Sequence, residues 1–203
     1  MAELYLLTPP KIDADFADVL ARTLDAGRVS ALQLRLKDQG QDEIEALAPR
    51  LIEIAHQRGV SVIMNDDPVL AAKLGCDGVH IGQEDGSIKQ ARAAVGPKGI
   101  VGVTCHDSRH LAMLAGEQGA DYVAFGAFFD TATKSPKTRA DLDILVWWTE
   151  LFELPCVAIG GITLENASEV IAAGADYIAV CGGVWSHPEG PEAACAGLSQ
   201  LLD

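Results

Sequence analysis

Apolar and polar residues alternate strictly in the run Ala-Leu-Gln-Leu-Arg-Leu-Lys at residues 31–37. Side chains along a strand point to opposite faces in turn, so this run predicts a strand with three leucines on one face. Its other face carries Gln33, Arg35 and Lys37, and three donor-rich side chains in a row are suited to bind a polyanion. The same alternation is typical of an edge strand with a solvated polar face, and this segment alone does not separate the two interpretations.

Short apolar runs recur along the whole chain and predict eight strands. They lie at residues 4–7, 31–37, 60–64, 78–81, 100–104, 122–125, 156–159 and 177–180. Amphipathic stretches lie between them, such as residues 43–57, where apolar positions recur with the period of a helix. Eight strand–helix units in sequence predict an α/β fold, a (β/α)8 TIM barrel in which residues 1–203 form a single domain. The alternative is an open doubly wound sheet, but no Gly-x-Gly-x-x-Gly follows the first strand.

One junction between helix and strand is repeated along the chain. Gly-Cys-Asp-Gly-Val at residues 75–79, Gly-Ala-Asp-Tyr-Val at 119–123 and Gly-Ala-Asp-Tyr-Ile at 174–178 each follow a predicted helix and begin a predicted strand. A glycine directly after a helix supplies the left-handed residue that ends it. The repeat supports a regular succession of helices and strands.

The composition restricts the classes of function. The net charge of −14 argues against nonspecific binding to nucleic acid. The N-terminus lacks the basic region and apolar core of a secretory signal, and no apolar stretch approaches the roughly 20 residues of a membrane span. The five cysteines have no metal or disulfide spacing, which is typical of a reducing compartment. We therefore expect a cytoplasmic protein with small-molecule substrates and no membrane partner.

The candidate chemistry lies directly after the predicted strands. In TIM barrels the active site is built at the C-terminal ends of the strands, so residues that follow different strands meet there. The residues concerned are Arg35 and Lys37; Asn65, Asp66 and Asp67; Gly82, Gln83, Glu84 and Asp85; Thr104, Cys105 and His106; Gly126, Thr131, Thr133 and Lys134; Gly160 and Gly161; and Cys181, Gly182 and Gly183. This convergence of cations, carboxylates, hydroxyls and glycines is stronger than any single motif.

The paired glycines after the last two strands favour a phosphate site. Backbone N–H groups at loop-to-helix junctions bind phosphate, and the loops after strands seven and eight are the usual phosphate site of the barrel. The alternative is that Gly160-Gly161 and Gly182-Gly183 are only tight turns.

Asp66 and Asp85 follow neighbouring strands and are placed to share one hard cation. Mg²⁺ prefers one or two carboxylates together with water and substrate phosphate oxygens. Each aspartate also precedes a predicted helix, so a helix cap is the simpler interpretation of either residue alone. Beside the cationic strand, a metal ion with a diphosphate is the better interpretation.

Two histidines and a tryptophan pair complete the candidates. His106 is placed for acid–base chemistry, or it is an N-terminal residue of a helix. His80 lies inside the fourth strand, which predicts a hydrogen-bonded interior residue. The pair Trp147-Trp148 predicts core packing or a contact between copies of the chain, which leaves a homo-oligomer open.

Six motifs together carry a resemblance to a known family. They are Gln33-x-Arg35-x-Lys37, Asn65-Asp66, Gly78-Val79-His80-x-Gly82-Gln83-x-Asp85, Gly102-x-Thr104-x-His106, Gly126-x-x-Phe129-x-Thr131-x-Thr133-Lys134 and Ala158-Ile159-Gly160-Gly161-Ile162. In order and spacing, and over nearly the whole chain, the sequence resembles the thiamine-phosphate synthase family.

The resemblance implies a fold, a reaction and a set of site residues. It implies a short (β/α)8 barrel that joins 4-amino-5-hydroxymethylpyrimidine diphosphate to a thiazole phosphate and releases diphosphate. It also implies that Mg²⁺ is held by Asp66 and Asp85. The pyrimidine diphosphate would be bound by Gln33, Arg35, Lys37, Asn65, Thr104 and Lys134. The thiazole phosphate would be bound by Thr131, Thr133, Gly161, Cys181 and Gly182.

The chain departs from the family pattern at three places. Asp67 stands where the family usually has arginine, and Gly182 stands where it usually has serine. Residues 135–139 lack a glycine often found before the sixth helix. These departures concern affinity and loop geometry more than the class of reaction.

Two alternative functions stay open at this point. A thiazole tautomerase of the same fold uses a histidine at the position of His106, but it generally lacks the cationic strand and the metal aspartates. A non-catalytic sensor of a phosphate ligand would keep the phosphate glycines and need no carboxylate pair.

Overall fold

Eight parallel strands close into a barrel in the order of the chain, and β8 pairs with β1. The computed structural model describes residues 2–130 and 138–202. The strands are β1 (Glu3–Leu7), β2 (Ala31–Leu34), β3 (Ser61–Asn65), β4 (Gly78–Ile81), β5 (Ile100–His106), β6 (Tyr122–Gly126), β7 (Cys156–Ile159) and β8 (Tyr177–Val180). The closure confirms the predicted (β/α)8 TIM barrel, and the alternative of an open sheet is wrong.

Helices follow the strands and cover the outside of the barrel. They are α1 (Phe16–Ala26), α2 (Gln41–His56), α3 (Pro68–Leu74), α4 (Ile88–Val95), α5 (Arg109–Glu117), α6 (Asp143–Leu151), α7 (Ala167–Ala172), α8 (Gly182–Trp185) and α9 (Pro191–Leu201). Within the described ranges, none of these helices combines the length and the apolarity needed to cross a bilayer.

The strands bury both of their faces, one in each of two apolar layers. In β1, Leu4 and Leu6 belong to the large layer between strands and helices, whereas Tyr5 and Leu7 belong to the interior of the barrel. This alternation follows from the period of two along a strand. The remaining buried residues of the interior layer are Ile63, Tyr122, Ala124, Val157 and Ala179. The interior is therefore filled by side chains and is not a channel.

Strand β2 is shorter than predicted, and it is not an edge strand. It pairs with β1 and β3 and ends at Leu34, because the Arg35 N–H donates to the Thr8 side-chain hydroxyl at 2.8 Å. The alternation nevertheless continues beyond the strand, since Leu36 is buried against the helices while Arg35 and Lys37 face the mouth of the barrel. The interpretation as a solvated edge strand is thus wrong. Strand β5 runs longer than predicted and is irregular between Thr104 and His106.

The repeated Gly-x-Asp junctions hold the N-terminal end of the barrel together. Their first glycines have the positive φ expected of a residue that ends a helix. Their aspartates, which stand directly before β4, β6 and β8, each accept a hydrogen bond from a backbone N–H of the preceding strand. These bonds join Asp77 to Val62 at 2.7 Å, Asp121 to Val101 at 2.7 Å and Asp176 to Cys156 at 2.8 Å.

Candidate active site

A cavity of about 670 Å³ opens at the C-terminal ends of the strands. All eight strands, or the residues directly after them, contribute to its lining. The predicted site residues that line it are Gln33, Arg35, Lys37, Asn65, Asp66, Asp85, Thr104, Gly161, Cys181 and Gly182, together with His106. Thr131, Thr133 and Lys134 lie outside the described residues, but Asp130 and Thr138, on either side of that segment, both line the cavity. Asp67 and Cys105, which were predicted at the same mouth, do not line the cavity, and Cys105 is buried in the core.

The cationic side of the cavity is formed by Arg35 and Lys37. The Lys37 ammonium lies 2.9 Å from the Asp66 carboxylate, and both side chains are partly exposed to the cavity. Arg35 is held through its backbone, because its N–H donates to the Thr8 hydroxyl and the Thr8 N–H donates to the Gln33 carbonyl at 2.9 Å. Thr8 is completely buried. It therefore fixes the direction in which the chain carries Arg35 into the mouth.

Asp66 and Asp85 bring two carboxyl groups together beside Lys37. Burial raises the pKa of Asp85, and the neighbouring Asp66 carboxyl raises it further through a hydrogen bond and through its charge. The Gly82 N–H, which donates to Asp85 at 2.8 Å, and the Lys37 ammonium lower the pKa of Asp85. Two like charges forced into one site disfavour each other's ionisation, and a divalent cation would relieve that conflict. The carboxylate pair therefore fits a hard metal ion that takes few protein ligands.

The helix-cap interpretation of these two aspartates is wrong. Asp67 is the N-cap of α3, since its carboxylate accepts from the Val69 and Leu70 N–H groups at 3.0 and 2.9 Å. Ser87 is the N-cap of α4. Asp66 has φ +66, a left-handed conformation that is uncommon outside glycine. No cluster of three or more potential ligands of the His, Cys, Asp or Glu type occurs within residues 2–130 and 138–202, so a metal ion here would rely on this pair, water and substrate oxygens.

Asp67, which departs from the family pattern, directs its carboxylate to helix α3. Asp67 uses its carboxylate on the backbone of α3, where the helix N-terminus stabilises a negative charge. Asp67 is not among the described residues that line the cavity. The departure at Asp67 therefore supplies a helix cap, and its carboxylate is not directed into the cavity.

Thr104 closes the opposite side of the mouth and is fixed by two hydrogen bonds. Its hydroxyl lies 2.7 Å from His80 Nε2, and its carbonyl accepts from the Gln83 side-chain amide at 2.6 Å. His80 is buried, and its Nδ1 lies 2.9 Å from the Tyr122 hydroxyl. His80 is therefore the hydrogen-bonded interior residue that its position in β4 predicts. His106 reaches the mouth with φ +56 at the irregular end of β5.

Glycines form the wall of the cavity after β7 and β8. Gly160 and Gly161 have φ +103 and +67, and a side chain at either position would collide with the loop after β6. A side chain at Gly183 would likewise meet the Ile162 carbonyl. These glycines are thus required by close packing, and they also leave backbone exposed to the cavity. Close packing accounts for these glycines, and the phosphate site stays a prediction.

The sequence interpretation missed several residues of the mouth. Pro9 and Pro10, which line the cavity shortly after β1, could have been found by the rule applied to the other strands. Trp185 donates its Nε1–H to the Leu7 carbonyl at 2.6 Å and lines the cavity, but nothing in its helical position signals this. Trp147 and Trp148 do not line the cavity. Trp148 packs in the core against Phe125 and Phe152, and the Arg109 guanidinium lies over the Trp147 ring.

Comparisons with known proteins agree with this geometry. The family model for thiamine monophosphate synthase matches residues 4–184. A thiamine-phosphate synthase of Rhodospirillum centenum is 59% identical over 98% of this chain and 97% of its own length. One of Erythrobacter litoralis is 51% identical over 92% of this chain and 90% of its own length.

A solved structure gives the same result. The thiamine phosphate pyrophosphorylase of Pyrococcus furiosus superposes with a TM-score of 0.87 at 28% identity, over 98% of this chain and 95% of its own. Together with the family model and the two relatives, it shows that this chain belongs to the thiamine monophosphate synthase family.

Proposed function

We propose that the chain is a magnesium-dependent thiamine-phosphate synthase and that each side of the cavity binds one part of the reaction. It joins 4-amino-5-hydroxymethylpyrimidine diphosphate to a thiazole phosphate and releases diphosphate. The observation that carries the magnesium and the residue roles is the Asp66–Asp85 pair beside Lys37. A tautomerase or a phosphate sensor has no use for two crowded carboxyl groups next to a row of cations.

The cationic side would stabilise the leaving group. A diphosphate departs from the pyrimidine methylene when its developing charge is neutralised, and charged groups inside a water-poor cavity are effective in this role. Arg35 and Lys37 line the cavity from the segment directly after β2, and Lys134 is assigned the same role by the family motif. Mg²⁺ held by Asp66 and Asp85 would supply further neutralisation of the diphosphate oxygens.

The other sides would bind and orient the two organic groups. Gln33, Asn65 and Thr104 would hold the pyrimidine, since they line the cavity on both sides of the carboxylate pair. Thr131, Thr133, Gly161, Cys181 and Gly182 would hold the thiazole phosphate. The carbon–oxygen bond to diphosphate breaks, and the thiazole nitrogen then forms a bond to the same methylene carbon. This substitution needs no protein nucleophile.

The direct test supplies both substrates to the purified protein. With Mg²⁺, thiamine phosphate should form together with an equal amount of diphosphate, and a chelator should stop the reaction until Mg²⁺ is restored. Formation of thiamine phosphate at the full rate in excess chelator would contradict the magnesium assignment alone. Absence of thiamine phosphate under all conditions would contradict the synthase.

The tautomerase alternative is tested at His106. In a synthase we expect His106→Ala to keep most of the activity, because departure of diphosphate needs no strong base. Isomerisation of the thiazole alone by the wild type, and its loss in His106→Ala, would favour the tautomerase.

For the cellular compartment we propose the cytoplasm, where a reducing environment suits the cysteine content.

A further inference from the structure

A continuous chain of hydrogen bonds crosses the interior of the barrel beneath the cavity. The Gln33 amide nitrogen donates to the Tyr5 hydroxyl at 2.9 Å, and the Tyr5 and Tyr122 hydroxyls lie 3.0 Å apart. Tyr122 continues to His80 Nδ1 at 2.9 Å, and His80 Nε2 continues to the Thr104 hydroxyl at 2.7 Å. Gln33 and Thr104 line the cavity, whereas Tyr5 and Tyr122 lie below it. The chain thus joins two sides of the mouth through the core.

Small residues make room for this chain in three neighbouring strands. His80, Gly102 and Tyr122 are in register on β4, β5 and β6. A side chain at Gly102 would overlap the Tyr122 ring, which stacks on His80 with the ring planes 22° apart. Tyr5 is likewise flanked in register by Ala31 and Ala179. A glycine inside a strand weakens it, so its presence here marks a place where the ring must pass.

The chain permits only two arrangements of its protons. A tyrosine hydroxyl and a neutral imidazole each have one hydrogen to donate. Each of Tyr5, Tyr122 and His80 takes part in two links, and among the described residues the two buried tyrosine hydroxyls have no side-chain partner outside these links. A buried O–H without an acceptor is costly, so each group donates its one hydrogen in one link and accepts in the other. The direction at one end therefore fixes the direction at every link. Because the Gln33 amide donates to Tyr5, Tyr5 donates to Tyr122, Tyr122 donates to His80 Nδ1, and His80 donates from Nε2 to Thr104.

This direction determines what the two ends present to the cavity. The Gln33 amide nitrogen donates to Tyr5 in the interior, which leaves the Gln33 side-chain carbonyl oxygen to accept a hydrogen bond from a ligand in the cavity. Thr104 accepts inward and presents its O–H, which donates. The His80 ring is buried between the hydroxyls of Tyr122 and Thr104, and a buried imidazole between two uncharged partners is favoured in its neutral form, as this arrangement requires.

We propose that Tyr5, Tyr122 and His80 are positioning residues that fix this donor and acceptor pattern and thereby select a pyrimidine that carries an amino group. An amino N–H donates to the Gln33 carbonyl, while an acceptor atom of the same substrate receives the Thr104 O–H. A pyrimidine with an oxo group in place of the amino group brings two acceptors together and is rejected. The proposal rests on the proposed function, whose own test is the formation of thiamine phosphate by the wild type.

Substrate discrimination tests the proposal. The ratio of kcat/KM for the amino substrate to that for its oxo analogue should be at least about 100 in the wild type, since a mismatched polar pair inside a site is costly. Tyr122→Phe breaks the chain and frees the Gln33 amide to turn, so the ratio should fall about tenfold. The KM of the thiazole phosphate should stay within about twofold. An unchanged ratio in Tyr122→Phe would overturn the proposal.

Two further variants separate the relay from a general loss of packing. Tyr5→Phe breaks a different link and should have an effect similar to that of Tyr122→Phe. The double variant should be no worse than either, because groups that act through one network are not additive. Tyr177→Phe, at the start of β8, is the matched control and should leave the ratio unchanged. Additive losses in the double variant would contradict a single directional chain.

The tautomer of His80 can be observed without any substrate. Nitrogen-15 NMR of the histidine-labelled wild type should show His80 protonated at Nε2 and bare at Nδ1, with the signal assigned by its loss in His80→Gln. In Tyr122→Phe the preference for this tautomer should weaken. A wild-type His80 protonated at Nδ1 would mean that the chain runs the other way, and the proposal would be wrong even if thiamine phosphate forms.

Discussion

The two ends of this barrel use aspartate in opposite ways. At the N-terminal end, Asp77, Asp121 and Asp176 each accept a backbone N–H of the preceding strand at 2.7–2.8 Å. At the C-terminal end, Asp66 and Asp85 face a cavity, and burial and the neighbouring Asp66 carboxyl raise the pKa of Asp85. The residue type is the same, but the three aspartates of the N-terminal end accept hydrogen bonds from the backbone of the fold. The second group, Asp66 and Asp85, contacts Lys37 and the Gly82 N–H and lines the cavity, where a ligand can reach it.

The local backbone explains why the two groups differ. The N-terminal aspartates belong to a repeated Gly-x-Asp junction, which places the carboxylate against the start of a neighbouring strand each time. Asp66 instead directly follows β3 and has a left-handed backbone conformation, and its N–H donates to the His80 carbonyl at 2.8 Å. A non-glycine residue in this conformation raises the free energy of the folded state. Such a cost is typical of a functional site.

The largest expected effect is the loss of turnover when either cavity carboxylate is removed. Asp66→Ala and Asp85→Ala should each lower kcat/KM by roughly 100- to 1,000-fold at limiting Mg²⁺, because charge stabilisation of the leaving group is lost. Circular dichroism should show that the fold persists. Asp18→Ala, an exposed residue of α1, is the control. Unchanged activity of both variants at limiting Mg²⁺ would refute the metal assignment.

The next effect concerns the cationic side of the cavity. Arg35→Met and Lys37→Met keep the aliphatic stem and remove a charge-assisted hydrogen bond of about 1.5–3 kcal/mol, so each should lower kcat/KM roughly 10- to 150-fold. Inorganic diphosphate should inhibit these variants less than the wild type. Lys89→Met on α4 provides the control for the loss of one positive charge.

The pattern of inhibition decides between the two substrates. The thiazole phosphate should bind the Arg35 and Lys37 variants as it binds the wild type, because glycines after β7 and β8 form its proposed site. If Arg35→Met weakened the binding of thiazole phosphate and left inhibition by diphosphate intact, the cations would belong to the other substrate.

The sequence predicted the mouth of the barrel better than its interior. Each residue that follows a strand could be placed at the mouth once eight strands were recognised, because parallel strands bring their ends together. The chain from Tyr5 through Tyr122 to His80 could not be predicted in this way. It depends on the register between strands and on the small residue Gly102, and neither is visible in the periodicity of one strand.

The choice between cap and ligand could not be predicted either. Asp66 and Asp67 are adjacent and both precede α3, so composition does not distinguish them. The backbone decides: Asp67 has extended φ and ψ and accepts two N–H groups of α3, whereas Asp66 is left-handed and faces Lys37. Likewise, the alternation at residues 31–37 indicated which faces are buried, but not that Thr8 ends the pairing of β2 after Leu34.

A smaller effect, on stability alone, is expected at the N-terminal end. Asp121→Ala removes the acceptor of the Val101 N–H and the partner of Arg92. A backbone donor left without its partner costs about 1–3 kcal/mol, so the free energy of unfolding in urea should fall by that amount. The kcat/KM of the folded variant should stay within about twofold, because the cavity lies at the other end. Glu150→Ala, exposed on α6, should change neither quantity.

The smallest expected effect is a gain in the free energy of unfolding, whereas Asp121→Ala should cause a loss. The pKa of Asp85 is raised in the folded state, so ionised Asp85 destabilises the fold at pH values above that pKa, and the penalty disappears below the pKa of the unfolded chain. Asp85→Asn should therefore raise the free energy of unfolding at pH 7 by a few tenths of a kcal/mol, since Asp85 is exposed and its charge is screened. The gain should vanish at acid pH, where Asp85 of the wild type is protonated as well.

Mg²⁺ should raise the Tm of the wild type, because a ligand of the native state stabilises it, and it should raise that of Asp85→Asn much less. A variant less stable than the wild type at pH 7 without Mg²⁺ would show that Asp85 serves the fold, as Asp121 does, and the contrast between the two ends of the barrel would fail at this residue.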